Sequence, residues 1–313
     1  MIARRLLLAA PLLGLAGRAR AADEVRIGYQ KNGSLVILRQ QRTLEARGLA
    51  VRWVEFQSGP PLLEALNAGA IDFGATGDTP PVFAQAAGVD FVYAGYQPIT
   101  GRNNAVLVKR GGPIAAPADL RGRRVAVTKG SSAHYVLVKA LASAGLGFAD
   151  IKPTYLQPAD AGPAFRSGAV DAWTIWDPFY AIAERDPETR VLMNGEVAPS
   201  SSFFLARRLW AEQRPDVLLD LLRAINGAAR WSETHQEDLA RIMAEVTGVD
   251  IAAQRVAAAR GSYRVGIMDA AGIRQQQEVA DTFRALGAIP APVDVRKVVW
   301  TPPAGLLGAG GVL

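Results

Sequence analysis

The stretch AIDFGATGDTPPVFAQAA, Ala70 through Ala87, decides the fold class. Residues 71–75 are an apolar run of strand length, Thr76 and Gly77 are turn residues, and from Asp78 or Thr79 the apolar spacing becomes helical. Asp78 and Thr79 are of the types that cap a helix, and Pro80 and Pro81 suit its first turn, where a missing N–H costs nothing. A strand that passes through a small polar turn straight into a helix is the repeating step of an α/β protein. The backbone N–H groups at such a helix mouth also make an anion site.

Two more stretches have this character. Gly59-Pro60-Pro61 opens the helical pattern Leu62, Leu63, Ala65, Leu66, and Lys129-Gly130-Ser131-Ser132-Ala133-His134 follows an apolar run at 125–128. Any loop of a doubly wound sheet needs small and capping residues, so one such mouth carries little weight. Three of them predict a pocket built for a small anion.

Strands are expected at 25–29, 51–56, 71–75, 91–94 and 104–109, with helices at 35–46, 61–68 and 80–87 between the first four. After Gly111-Gly112-Pro113 the same grammar restarts. Strands at 124–128, 151–155, 169–175, 191–193 and 202–206 alternate with helices, and beyond residue 206 the patterns are almost wholly helical. This predicts an α/β chain of mostly parallel sheets, with a second lobe inserted into the first. The expected boundaries are 22–106 and 204–313 for the first lobe and 107–203 for the second, with crossings at 104–109 and 202–206. No internal repeat is found.

Residues 1–21 read as a secretory leader, with Arg4-Arg5 ahead of the apolar run 6–16 and the small-x-small signal Ala19-Arg20-Ala21. The apolar run is too short to span a bilayer. The mature chain is expected to start at Ala22 and to be free in the periplasm, with no cysteine to carry a lipid anchor. The leader holds four arginines and no acid, so the net charge of +6 falls to about +2 beyond it. The remaining arginines are scattered, which argues against a nucleic-acid partner. There is no cysteine, and the two histidines, His134 and His235, are far apart, so neither thiolate chemistry nor a zinc site is expected, and no cofactor is implied. No nucleophile elbow, H-E-x-x-H or Walker loop is present. Asp78 and Asp177 would be a carboxylate pair for glycosidic chemistry, a reading that ranks below binding.

Val25-Arg26-Ile27-Gly28-Tyr29-Gln30, Trp53-Val54-Glu55-Phe56, the run 66–87, Lys129-Gly130-Ser131-Ser132 and Asp171-Ala172-Trp173-Thr174-Ile175-Trp176-Asp177-Pro178 together resemble the periplasmic solute-binding proteins of ABC importers for aliphatic sulfonates. That family sits in a wider group with taurine, nitrate and thiamine-precursor receptors, and the resemblance covers essentially the whole mature chain. It implies a type II periplasmic binding protein fold, two α/β lobes joined by two crossover strands with a ligand cleft between them. It further implies a monomer that is not an enzyme, which takes an alkanesulfonate ligand to ABC permease membrane subunits and their ATPase. By position it implies Gln30, Ser34, Gly77, Asp78, Thr79, Ser131, Ser132, His134, Trp176 and Asp177 as ligand-binding residues. Taurine stays open, since Asp78 or Asp177 would pair with its ammonium.

The chemistry of a sulfonate fits these residues. It is a strong acid with three acceptor oxygens and no proton, so neutral donors alone can hold it, each charge-assisted hydrogen bond contributing ~1.5–3 kcal/mol. Trp176 is expected either to wall the alkyl part or to plug the core behind its loop. Trp173, on the opposite strand face, is expected in the core. His134 is expected either at the ligand or facing the hinge or solvent.

Overall fold

Apolar runs too short for helices become strands, ten of them in the computed structural model, which describes residues 24–307. The expected leader lies outside the described residues. The strands are β1 (Val25–Tyr29), β2 (Val51–Glu55), β3 (Phe73–Thr76), β4 (Phe91–Ile99), β5 (Asn104–Lys109), β6 (Arg124–Val127), β7 (Lys152–Tyr155), β8 (Ala172–Trp176), β9 (Thr189–Asn194) and β10 (Ser200–Arg207). They form two five-stranded sheets, in the orders β2-β1-β3-β10-β4 and β7-β6-β8-β5-β9.

The sheets are mixed rather than mostly parallel. In the first, β1 runs parallel to β2 and β3, and β10 is antiparallel to β3 and β4. In the second, β6 runs parallel to β7 and β8, and β5 is antiparallel to β8 and β9. The antiparallel strand of each sheet is the one that has just arrived from the other lobe.

This pairing moves the expected lobe boundaries. Asn104 through Val108 pair with β8 and Ala105 through Lys109 with β9, so β5 lies in the second sheet from its first residue. Ser200 pairs with Ile99, so β10 lies in the first sheet from its own start. The chain therefore crosses at 100–103 and 195–199, and a boundary at 106 would cut a strand in two. The crossings touch: a Cβ on Gly195 would lie 2.5 Å from the Gly101 carbonyl oxygen, and Gly101 has a left-handed φ of 78°. Both positions need glycine for this close approach.

An internal repeat is present after all. The Arg26 backbone N–H, 3.1 Å from Asp72 Oδ2, and its Nε, 2.8 Å away, both donate to that oxygen, while Nη1 donates to Gly69 O. Arg124 does the same with Asp171 Oδ2 at 2.8 and 3.2 Å, and its Nη2 donates to Gly168 O. Gly69-Ala70-Ile71-Asp72 and Gly168-Ala169-Val170-Asp171 are thus equivalent, as are β1 and β6, β2 and β7, and β3 and β8. The shared residues are those that a turn or a buried charge dictates, too few to show as a repeat in the sequence.

The first sheet is covered by helices on both faces. Helices Ser34–Gln41, Pro215–Thr234 and Gln236–Thr247 pack on one side through Leu35, Leu222, Ile225 and Met243. Helices Gly59–Asn67, Thr79–Ala86 and Ala270–Ala285 cover the other through Leu62, Val82 and Phe283. In the second lobe, helix Ser132–Ser143 buries Ala133, Leu137 and Leu141 against Val125 and Val127. These arrangements bring several strand-to-helix turns to one cleft.

Candidate functional site

Four helices start at one cavity of about 190 Å³ between the lobes. They are Ser34–Gln41, Gly59–Asn67 and Thr79–Ala86 of the first lobe and Ser132–Ser143 of the second, and Ser34, Gly59, Gly77, Pro80, Ser131 and Ser132 line the cavity. None of the four carries an acidic residue in its first turn. Helix Thr79–Ala86 has the buried Asp78 carboxyl at its N-terminus, so the positive dipole ends left for whatever occupies the cavity are those of the other three. Among the described residues no Lys or Arg lines it, and Asp177 is its only charged group.

Seven of the ten expected residues meet here: Gln30, Ser34, Gly77, Ser131, Ser132, Trp176 and Asp177. Gln30 Nε2 donates to Ala75 O at 3.3 Å, which pins its amide across the ends of β1 and β3. Ser131 caps helix Ser132–Ser143: its Oγ donates to Thr128 O at 2.7 Å and accepts the His134 N–H at 3.3 Å. Its hydroxyl proton is thus committed to its own loop. The Ser132 hydroxyl makes no hydrogen bond among the described residues and faces Gly77 across the cleft, where a Cβ would sit 3.1 Å from Ser132 Oγ. Glycine at 77 lets the two mouths approach.

Asp78, Thr79 and His134 do not line the cavity. Asp78 is 1% exposed and does not cap its helix as expected. Its carboxylate turns inward and accepts the Ser200 hydroxyl at 2.5 Å and the Thr79 hydroxyl at 2.8 Å. Burial raises its pKa, and those hydroxyls oppose the rise. The Thr79 side chain is spent on Asp78, and Gln276 Nε2 donates to the Asp78 carbonyl at 2.6 Å. These residues brace the mouth from behind.

His134 lies at the contact between lobes. Its ring packs on Phe148 at 4.8 Å and on Phe283 of helix Ala270–Ala285 at 5.1 Å. Nδ1 accepts the Gly130 N–H at 3.2 Å, which fixes the loop that presents Ser131 and Ser132. Burial, with Lys129 nearby, lowers its pKa to about 4, so the ring is neutral at physiological pH.

Trp176 is 7% exposed and forms cavity wall, with Phe179 edge-on behind it at 6.5 Å. Trp173 points to the opposite face of β8 and packs on Phe165 at 6.2 Å. Asp177 Oδ1 accepts from the Ala181 N–H at 3.0 Å and from Arg260 Nη1 at 3.3 Å. Burial pushes its carboxyl up to about 7 against the pull of Arg260.

The far wall of the cavity was missing from the sequence reading. Leu239, Met243 and Ala258 come from the helices after β10, and Gln97, Phe204 and Tyr263 close the side of the first lobe. Gln97 accepts the Ser34 hydroxyl at 3.4 Å and donates to Ser262 O, joining one mouth to this wall. The only local signal was the Gly261-Ser262-Tyr263 break in a helical run. The cavity is thus polar where helices begin and apolar where the C-terminal helices pack.

Residues 19–248 match the NMT1-like family. The chain is similar to the crystal structure of the periplasmic aliphatic sulphonate binding protein SsuA from Escherichia coli, with 40% identity over 90% of this chain and 92% of that one and a TM-score of 0.82. It is also similar to the alkanesulfonate-binding protein SsuA from Xanthomonas axonopodis pv. citri bound to MOPS, with 41% identity, 89% and 98% coverage and a TM-score of 0.85. The taurine-binding periplasmic protein of Escherichia coli K12 is 30% identical over 224 residues, 69% of this chain and 68% of that protein. With two α/β lobes, a cavity at their helix mouths and binding proteins as whole-length relatives, the chain belongs to the NMT1-like family.

Proposed function

We propose that this protein is a periplasmic receptor that binds aliphatic sulfonates between its lobes and, as a monomer, delivers them to an ABC permease and its ATPase. The observation that carries the reading is the convergence of four helix N-termini, free of first-turn acids, on a cavity with no cationic side chain. A sulfonate is a fixed monoanion with acceptors only, and such a site matches it without a counter-cation. Sulfate would bring a second charge that nothing in the cavity neutralises. The apolar wall suits a hydrocarbon tail, and the sulfonate-binding relatives support the same reading.

Calorimetric titration with methane-, ethane- and butanesulfonate, MOPS, taurine, sulfate and nitrate tests it. Sulfonates should bind and sulfate and nitrate should bind weakly; preference for sulfate or nitrate over every sulfonate would refute the assignment. Each methylene buried against the wall should add ~0.8 kcal/mol, roughly fourfold in affinity. Replacing Trp176 with Ala should flatten that gain while changing methanesulfonate binding less, because only the tail loses a partner. Taurine outbinding ethanesulfonate by more than about tenfold, roughly 1.4 kcal/mol, would move the assignment to the taurine branch.

A further inference from the structure

Arg260 is the C-cap of helix Ile251–Ala259, in the first lobe, and every side-chain partner it has lies in the second. Its Nη1 donates to Asp177 Oδ1 at 3.3 Å and its Nη2 to Glu184 Oε1 at 2.5 Å. The guanidinium carbon sits 3.9 Å from the centre of the Tyr180 ring. One cation thus meets two carboxylates and an aromatic face, all on or just before helix Phe179–Glu184.

Among the described residues two other ion pairs join the lobes, and both are solvated. Arg185 with Asp250 leaves the side chains 45% and 56% exposed, and Lys139 with Glu278 leaves 29% and 60%. Such pairs are screened and contribute little. At Arg260 the side chain is 17% exposed, with Asp177 at 9% and Glu184 at 20%. Opening the cleft would strip both acids of their cation.

The bridge also touches the ligand space from both sides. Trp176, Asp177 and Pro178 line the cavity in one lobe, and Gly261, Ser262 and Tyr263, the next residues after Arg260, line it in the other. A cation whose partners among the described residues all lie across the cleft has a state-dependent partner set. That is what a population shift between open and closed forms requires.

We infer that Arg260 is a positioning residue that holds the lobes closed over the ligand by clamping Asp177, Glu184 and Tyr180. The inference rests on the reading that a solute binds between the lobes. Arg260 does not line the cavity; it sets the second lobe, and with it the Trp176 wall, against the first. Lysine would serve poorly, since a point charge cannot fork to two carboxylates while stacking on a ring.

The test compares wild type, Arg260→Ala, Arg260→Lys and Glu184→Gln by calorimetry with ethanesulfonate, by solution scattering with and without it, and by thermal melting without it. Arg260→Ala should bind about tenfold more weakly or worse and lose most of the ligand-induced fall in radius of gyration. Arg260→Lys should recover part of both, and Glu184→Gln, which keeps the Asp177 contact, should show a smaller loss. Ligand-free melting should change little, because the clamp belongs to the closed form. Unchanged affinity and compaction in Arg260→Ala would overturn the inference, as would a ligand-free destabilisation as large as the effect on the complex. Failure of the sulfonate reading would show differently, as absent ethanesulfonate binding in wild type, and the same comparison is then made with whichever of taurine, sulfate or nitrate the wild type binds.

Discussion

Replacing Ser132 with aspartate should weaken sulfonate binding by about a thousandfold while leaving the fold intact. The Ser132 side chain lines the cavity, makes no hydrogen bond among the described residues and lies opposite Gly77. A carboxylate there would share the cavity with the bound anion, and two like charges about 4 Å apart near a protein surface repel by about 4 kcal/mol. The new acid would also take up the helix N–H groups that the ligand needs. An acid in the first turn favours the helix itself, by ~0.3–1 kcal/mol, so thermal stability should hold or rise as affinity falls. That opposition separates a damaged site from a damaged protein. Ser132→Asn, neutral and similar in size, should cost far less, and Ser132→Ala only ~0.5–1.5 kcal/mol. Calorimetry with ethanesulfonate checks the series; Ser132→Asp binding within tenfold of wild type would remove the mouth of helix Ser132–Ser143 from the anion site.

The mouths were legible in the sequence because their chemistry is local. Gly130 takes a φ of 70°, Ser131 caps the helix that follows it, and Pro80 and Pro81 occupy the first turn of theirs, all needs that a few adjacent residues announce. The alternation along β8 likewise separates Trp173 from Trp176 by face. Asp78 misled for the opposite reason. Its type and position spell a helix cap, but the partner that claims its carboxylate is Ser200, 122 residues away, and only the returning strand β10 brings that hydroxyl near. The direction of β5 and β10 was hidden as well, since an apolar run does not state whether it pairs parallel or antiparallel. The apolar wall came last in the chain, on helices whose patterns are those of ordinary core. Leu239 and Met243 serve that core and the cavity alike, so nothing in their spacing marks them as site residues. Arg260 follows the same logic: it is one arginine among many until the fold sets it across from Asp177 and Glu184.

Acidification from pH 7 to pH 4 should remove about 3 kcal/mol of stability through His134 alone. The folded-state pKa of about 4 lies below the 6.5 of an exposed imidazole, first because the ring is buried among Phe148, Phe283 and Tyr155 and second because Lys129 is close. The unfolded chain therefore binds a proton that the folded chain refuses. The stabilisation is fully present above pH 6.5 and is lost as pH falls through 4. Asp177 has the opposite sign: its raised pKa, about 7, means that the same acidification favours the folded form at that carboxyl. The two must be separated by difference. Urea unfolding of wild type and His134→Gln at a series of pH values does so, because only the slope due to His134 disappears in the variant. The glutamine amide oxygen can still accept the Gly130 N–H, so the variant tests the titration and not the loss of that hydrogen bond. Equal slopes for the two proteins between pH 6 and pH 4 would show that the ring is not held neutral. Binding should follow stability in this range. A protonated His134 has no lone pair for the Gly130 N–H, the loop that presents Ser131 and Ser132 loses its anchor, and sulfonate affinity should fall toward pH 4 although the ligand keeps its charge throughout.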